Sequence, residues 1–183
     1  MASNSRRQIE HWLKTIDVNV DRVADVGGLF MPVQGRTKSW NVLTYEIWDV
    51  KKNRNGVIAN YTADFNTTDN MDGWDYDVVF CIEVTDHFWN PVKAFKNIND
   101  MMKKGGTLYI SSNFLFPHHT GFDCIRFTIT GLSKVLSETG FAVTHYEPRF
   151  AKNVETLGMA MRNESKVYYN PGAIGFMVTA KKL

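Results

Sequence analysis

The sequence predicts an α/β domain built on a mainly parallel sheet, and three observations carry that reading. Strand-like runs alternate with helix-like ones along the chain. The run Asp77-Val78-Val79-Phe80-Cys81-Ile82 is apolar without alternation, as a central strand covered on both faces must be. Acidic residues recur just past the ends of successive strand-like runs, which is where open parallel sheets bind ligands. At 183 residues the chain reads as one domain spanning 1–183, long enough to bury a core without disulfides or a structural metal.

The elements follow in order. Ser5 and Gln8 stand at capping-box spacing, and Ile9, Trp12, Leu13 and Ile16 recur as one apolar helical face. Arg22 to Val26 is a short strand stopped by Gly27-Gly28. Asn41 to Trp48 is a second strand, ended by Asp49, and Gly56 to Asn60 a third. After the fourth, Asp77 to Ile82, Asn90 caps a helix with Pro91 at its first position. Val92, Phe95, Ile98 and Met102 form its inner face, Lys103-Lys104 suit its negative end, and Gly105-Gly106 terminate it. Thr107 to Ser111 is strand five. A helix over Gly131 to Thr139 is capped by Thr130 and stopped by Gly140. Phe141 to Tyr146 and Ala173 to Ala180 are the last strands. The stretch 147–172 between them is loop with a short helix over Val154 to Met161, so the final pair is expected to run antiparallel at one edge.

Composition excludes several classes. Lys+Arg 21 against Asp+Glu 19 leaves +2, too balanced for a chain that lives on nucleic-acid phosphates. Cys81 and Cys124 lack CxxC or histidine-rich company, so no metal site is expected. No apolar run approaches the roughly 18 residues of a membrane span. The start Met1-Ala2-Ser3-Asn4-Ser5-Arg6-Arg7 is not followed by a secretory apolar core, so a cytoplasmic location is expected.

The residues past the strand ends carry the chemistry. Asp25 and Gly27-Gly28 follow strand one, Asp49 strand two, Asp64-Phe65 strand three, Glu83 to His87 strand four, and Asn113 to His119 strand five. From Asn55 to Val92 there is no Lys or Arg, against seven Asp or Glu. A solvated acidic face would show the same excess, but placement at successive strand ends favours a cleft for a cationic ligand. The turn Asp25-Val26-Gly27-Gly28-Leu29-Phe30 lacks two glycines of the dinucleotide fingerprint, and its acid would repel a pyrophosphate. An acid there suits an ammonium and a sulfonium. Asp49 is placed to accept from both hydroxyls of a ribose, and Asp64 from an adenine amino group with Phe65 packed on the base. These demands describe S-adenosylmethionine.

The chain resembles the class I S-adenosylmethionine-dependent methyltransferases of the small type-11 kind, from about Arg22 to Val143. The resemblance is densest in YDVVFCIEVTDHFWNPVKAFKNINDMMKKGGTLYISSNF, residues 76–114, and continues through FPHHTGFDCIRFTITGLSKVLSETGF, residues 116–141. It implies a Rossmann-like seven-stranded sheet with helices on both faces and the last strand antiparallel. It also implies that Asp25, Gly27 and Gly28 hold the methionine end, Asp49 the ribose with Glu46 as a second candidate, and Asp64 and Phe65 the adenine. Glu83 and His87 then border the sulfonium. The chain departs from the family pattern at Leu29, where relatives carry another glycine, at Thr85-Asp86, and at Cys124. Between Val26 and Val42 the chain is too short for the usual loop plus full helix; Pro32, Gly35 and Arg36 suggest a loop, with Arg36 either meeting the methionine carboxylate or lying on the surface.

A methyl transfer aligns nucleophile, methyl and sulfur, and needs a base only if the nucleophile holds its proton. His118, His119 and His87 are the candidate bases, with His87 equally readable as a turn cap. Asp123 either orients a histidine or pairs with Arg126 to fix the loop. Trp74, Trp89, Phe114, Phe116, Tyr168 and Tyr169 either line a pocket or pack the edge. The expected activity is methyl transfer to an oxygen or nitrogen of a small molecule or glycan, framed by the first helix, the 113–126 loop and residues 147–172, or by a second copy in a homodimer. The competing expectation is a binding or scaffold protein that kept the fold and lost turnover.

Overall fold

The computed structural model describes residues 4–118, 121, 123–151, 154 and 173–183. Helix α1 is Asn4–Leu13, followed by β1 (Asp17–Val26) and β2 (Ser39–Asp49). Short strands β3 (Asn53–Arg54), β4 (Val57–Ile58) and β5 (Tyr61–Thr62) precede β6 (Tyr76–Ile82). Then come α2 (Pro91–Asp100), β7 (Met102–Asn113), α3 (Ile129–Glu138), β8 (Phe141–Phe150) and β9 (Ala173–Lys182). Among the described residues seven strands form one sheet in the order β5-β2-β1-β6-β7-β9-β8. All neighbours are parallel except β9, which runs antiparallel to both β7 and β8. The antiparallel strand therefore sits one place inside the edge, and β8 forms the edge itself.

Each face of the sheet has its own core. Ile9, Trp12 and Leu13 of α1 pack with Val23, Val78 and Phe80 on one face. Phe95 and Ile98 of α2 and Leu132 and Leu136 of α3 pack with Val79, Leu108 and Val178 on the other. Burying such a side chain fully contributes about 1.5–3 kcal/mol, so the two layers set the sheet's position against its helices.

Several local expectations are corrected. Ser5 lies inside α1 rather than capping it, because the helix already begins at Asn4. Gln8 instead ties α1 to the sheet edge: its Nε2 donates to Phe150 O at 2.7 Å, and Phe150 N donates to its Oε1 at 2.9 Å. The expected third strand over 56–60 is split. Asn55 and Gly56 both take positive φ, 50° and 82°, and turn Val57–Ile58 back on Asn53–Arg54 as a separate hairpin. The sheet's edge is completed by Tyr61–Thr62 instead.

Helix α2 is capped by Asn90 with Pro91 first, as expected, but ends at Asp100. Gly105-Gly106 do not terminate it; they lie inside β7, where the pairing with β6 shifts register between Tyr76 and Val78. A side chain at Gly106 would crowd Lys103 O at 2.9 Å and Asp77 O at 3.1 Å. Lys103 pairs with Asp77 at 2.7 Å rather than serving the helix end. The cap of α3 is Thr128, two residues before Thr130; its Oγ1 accepts from Gly131 N at 3.0 Å. The helix expected over Val154 to Met161 lies outside the described residues. No helix among the described residues is long and apolar enough to cross a membrane.

Candidate active site at the carboxyl ends of the strands

Strand order reverses between β1 and β6, so their carboxyl ends flank the crevice in which open parallel sheets take ligands. Gly27 and Val84 close the floor of this crevice. Gly27 has φ 76°, its amide donates to Trp48 O at 2.8 Å, and a Cβ there would lie 2.6 Å from Val84 Cγ2. Only glycine fits that backbone and that approach.

Asp25, at the end of β1, is 1% exposed. Its Oδ2 accepts from Val33 N at 2.7 Å and from the Tyr45 hydroxyl at 2.6 Å. A Cβ on Gly28 would overlap this carboxyl group. Burial pushes Asp25 up to about 6, against the pull of the Tyr45 and Val33 hydrogen bonds. The same burial, with the Asp25 charge beside it, drives the Tyr45 phenol up. The loop 27–38 replaces a helix and folds back over Asp25. It is pinned from outside by Arg36, whose Nε and Nη2 grip Glu10 of α1 at 3.1 and 2.7 Å while Nη1 donates to Met31 O at 2.7 Å. Of the two readings of Arg36, the structure places it in this clamp.

Asp49 ends β2 half-buried. Its Oδ1 accepts from Lys51 N at 3.0 Å and its carbonyl from Ala63 N at 3.0 Å, which fixes the turn and aligns β5. Glu46 points away to the other face. There it accepts from Tyr76 at 2.6 Å, Tyr61 at 3.1 Å and Arg22 at 3.1 Å. These partners hold its carboxyl below the usual range against the desolvation that raises it. Trp74 joins that cluster, stacking edge-on to Trp48 and Tyr61 at 4.8 and 4.4 Å, so it packs an edge.

Asp64 opens the turn after β5. Its Oδ1 accepts from Asn66 N at 2.9 Å and Asn66 Nδ2 at 2.8 Å. Asn66 also donates to His87 O at 3.2 Å and accepts from Asn90 N at 3.0 Å, linking this turn to the one after β6. Sequence reading missed Asn66 because only the folded turns bring 64, 87 and 90 together. Phe65 is buried against Trp48 at 6.2 Å.

Glu83 leaves β6 with φ 58°, rare outside glycine and a sign of a constrained site. Its amide donates to Ser111 Oγ at 2.8 Å, and Ser111 Oγ donates to Glu83 Oε1 at 2.9 Å. Arg149 Nη1 stands 3.0 Å from the same oxygen. Ser111 and Arg149 are further residues the sequence did not mark. A one-turn 3₁₀ helix, Thr85–His87, follows, and His87 N donates to Val84 O at 3.0 Å.

The loop after β7 is tied to that turn, since Cys124 N and Ile125 N both donate to Asp86 O, at 2.8 and 3.2 Å. His118, Phe116, Asp123, Cys124, Ile125 and Arg126 line an open cleft of about 280 Å³. Asp123 is gripped by Arg126 through both oxygens, which places it in the loop-fixing pair. His118 and Phe116 in this lining are exposed, as are Trp89 and Phe114 elsewhere in the turns after β6 and β7. His119, Tyr168 and Tyr169 lie outside the described residues. Cys81 is buried, and burial, with Asp25 and Asp86 nearby, drives its thiol well up. Among the described residues no group of three or more His, Cys, Asp or Glu stands ready to hold a metal ion.

The comparisons agree with this architecture. A family profile described as methyltransferase domain matches residues 24–146. No curated protein matches the sequence. A protein from Bacillus halodurans C-125 assigned as a methyltransferase has a similar structure, with a TM-score of 0.63, 13% identity, and 99% of each chain covered. An S-adenosylmethionine-dependent methyltransferase from Mesorhizobium loti scores 0.64 at 11% identity, over 97% of this chain and 98% of that one. A Haloferax volcanii complex of the Trm112 methyltransferase activator and a methyltransferase partner scores 0.64 at 13% identity, over 98% and 88%. The chain belongs to the methyltransferase-domain family, and its sheet is that of the class I S-adenosylmethionine-dependent enzymes. Its methyltransferase domain takes up most of the chain.

Proposed function

We propose that the crevice between β1 and β6 holds S-adenosylmethionine, and that the enzyme methylates an oxygen or nitrogen of a small molecule or glycan presented at the 113–126 loop. The observation that carries the reading is the series of acids past successive strand ends, Asp49, Asp64 and Glu83, around a glycine turn that a side chain would fill. This donor set fits the cofactor: carboxylates for a ribose diol, an adenine amine and a sulfonium, and open backbone at Gly27-Gly28. When bound, the cofactor supplies a methyl carbon activated by positive sulfur.

The chain's own residues do the rest. Asp49 takes the ribose hydroxyls with the oxygen its turn leaves uncommitted. Asp64 faces the adenine amine, and Phe65 backs the base. Asp25 acts behind the site, holding Val33 and Tyr45 so that Gly27-Gly28 keep their path; Glu83 presents its carboxylate at the sulfonium side. His87 borders the same turn. His118 lines the acceptor cleft and takes the proton of a hydroxyl acceptor, with His119 as the neighbouring candidate. Exposed Phe116 in the cleft lining gives it an apolar side that suits an acceptor with an apolar part.

Release of S-adenosylhomocysteine is followed with panels of hydroxyl, amine and glycan acceptors, for wild type and His118→Ala. With a hydroxyl acceptor, His118→Ala lowers turnover by about 10²–10⁴ while S-adenosylhomocysteine binding stays at the wild-type level. Equal turnover removes His118 as the base. No turnover on any panel, with binding intact, favours the scaffold reading.

A further inference from the structure

We infer that Arg149 is a positioning residue for the methyl transfer: it crosses the sheet end beneath the crevice and aims the Glu83 carboxylate at the cofactor. The inference rests on the reading of Glu83 as a cofactor-facing group. Arg149 is 0% exposed, although it sits on the edge strand β8. A fully buried guanidinium is costly unless its charge and donors are met. Here the donors are met selectively. Nη2 donates to Ser112 O at 3.1 Å and Asn113 Oδ1 at 2.6 Å, and Nη1 stands 3.0 Å from Glu83 Oε1. Among the described residues Nε has no hydrogen bond, and Nη1 meets Glu83 Oε1 as an ion pair rather than a well-aligned hydrogen bond. An arginine kept only to brace β8 would have its donors satisfied within its own strands. This one leaves Nε unbonded among the described residues and turns Nη1 on Glu83.

The fold clears a path for it. Arg149 lies opposite Gly175 of β9, and a Cβ on Gly175 would lie 2.6 Å from Nη2 and 2.9 Å from Nε. The side chain passes over that glycine from β8 to the end of β7. Its target, Glu83, is the non-glycine residue with φ 58° at the strand-order reversal. Among the described residues Ser111 from β7 and Arg149 from β8 hold the Glu83 carboxylate, with the charge of Arg6 of α1 also acting on it. A strained backbone keeps its aim only if such contacts over-determine it. Arg149 therefore acts through Glu83 rather than on the cofactor itself.

The test is calorimetric titration of S-adenosylmethionine, which carries the sulfonium, into the full chain, with melting followed by circular dichroism. Neutral S-adenosylhomocysteine is the control, on which the variants have little effect. The variants are Arg149→Lys, Asn113→Ala, Glu83→Gln, and each of the first two combined with Glu83→Gln. Lysine keeps the charge but cannot reach Asn113 and Glu83 together, so Kd rises about tenfold. Asn113→Ala removes the shorter of the two Nη2 hydrogen bonds, leaving Ser112 O, and Kd rises about threefold. In the Glu83→Gln background both effects vanish, because the carboxylate they aim is gone. Folded Arg149→Lys and Asn113→Ala with wild-type Kd, whatever their melting points, overturn the inference. So do losses that persist undiminished beside Glu83→Gln. If Arg149→Lys does not fold, Asn113→Ala alone decides. A wild-type chain that binds neither S-adenosylmethionine nor S-adenosylhomocysteine overturns the cofactor reading itself, and is told apart from the other failures by that first titration.

Discussion

The hydroxyl of Tyr45 on β2 donates a 2.6 Å hydrogen bond to the buried carboxylate of Asp25 on β1. With Val33 N at 2.7 Å, it turns the first acid of the site into the anchor of the loop above it. The folded chain holds Asp25 at about 6 by burial, against an ordinary 3.8. Between those values the folded state binds more protons than the unfolded one, so stability falls as pH rises from about 4 to about 6 and then levels. The full change is on the order of 2–3 kcal/mol. Asp25→Asn, which accepts from the same two donors, flattens this part of the curve and melts higher than wild type at neutral pH. An unchanged slope between pH 4 and 6 contradicts the assignment.

Gly28 is as constrained as Asp25 because the two share one space. Gly28→Ala forces a methyl into the Asp25 carboxyl group and costs about 1–3 kcal/mol by overpacking. A denaturant titration reads this as a lower midpoint at unchanged slope. Full wild-type stability would mean that the carboxyl sits elsewhere.

The clamp of Arg36 on Glu10 joins the loop to α1 by two hydrogen bonds, 3.1 and 2.7 Å. Arg36→Ala lowers stability by about 1 kcal/mol at low salt, and the difference shrinks in 1 M salt because the pair is partly exposed. A loss independent of salt would assign the effect to packing of the arginine stem instead.

Much of this was legible in the sequence because apolar periodicity and caps are local signals. The continuous apolar run of β6 and the Asn90-Pro91 start of α2 stand where they were expected. Gly105-Gly106 misled for a physical reason: paired glycines stop helices and also allow strand bulges, and only pairing with β6 decides between them. Asn55-Gly56 misled in the same way, since a tight hairpin turn interrupts what reads as one strand. In the site, Asp25, Asp49 and Asp64 could be ranked along the chain, but not which would be consumed by the fold. Tyr45 lies 20 residues from Asp25, and their hydrogen bond exists only through strand register. Arg149 is invisible for the same reason: its partners come from β6 and β7.

We propose that the carboxyl ends of β1, β2 and β6 form the cofactor site, with Asp49 on the ribose. Calorimetric titration of S-adenosylmethionine and S-adenosylhomocysteine into wild type and Asp49→Ala tests it most directly. Wild type is expected to bind at micromolar concentration, and the variant to lose about 1.5–3 kcal/mol, roughly ten- to a hundredfold in Kd, with the melting point little changed. Equal affinity in the folded variant, or no binding of either ligand by wild type, would contradict it.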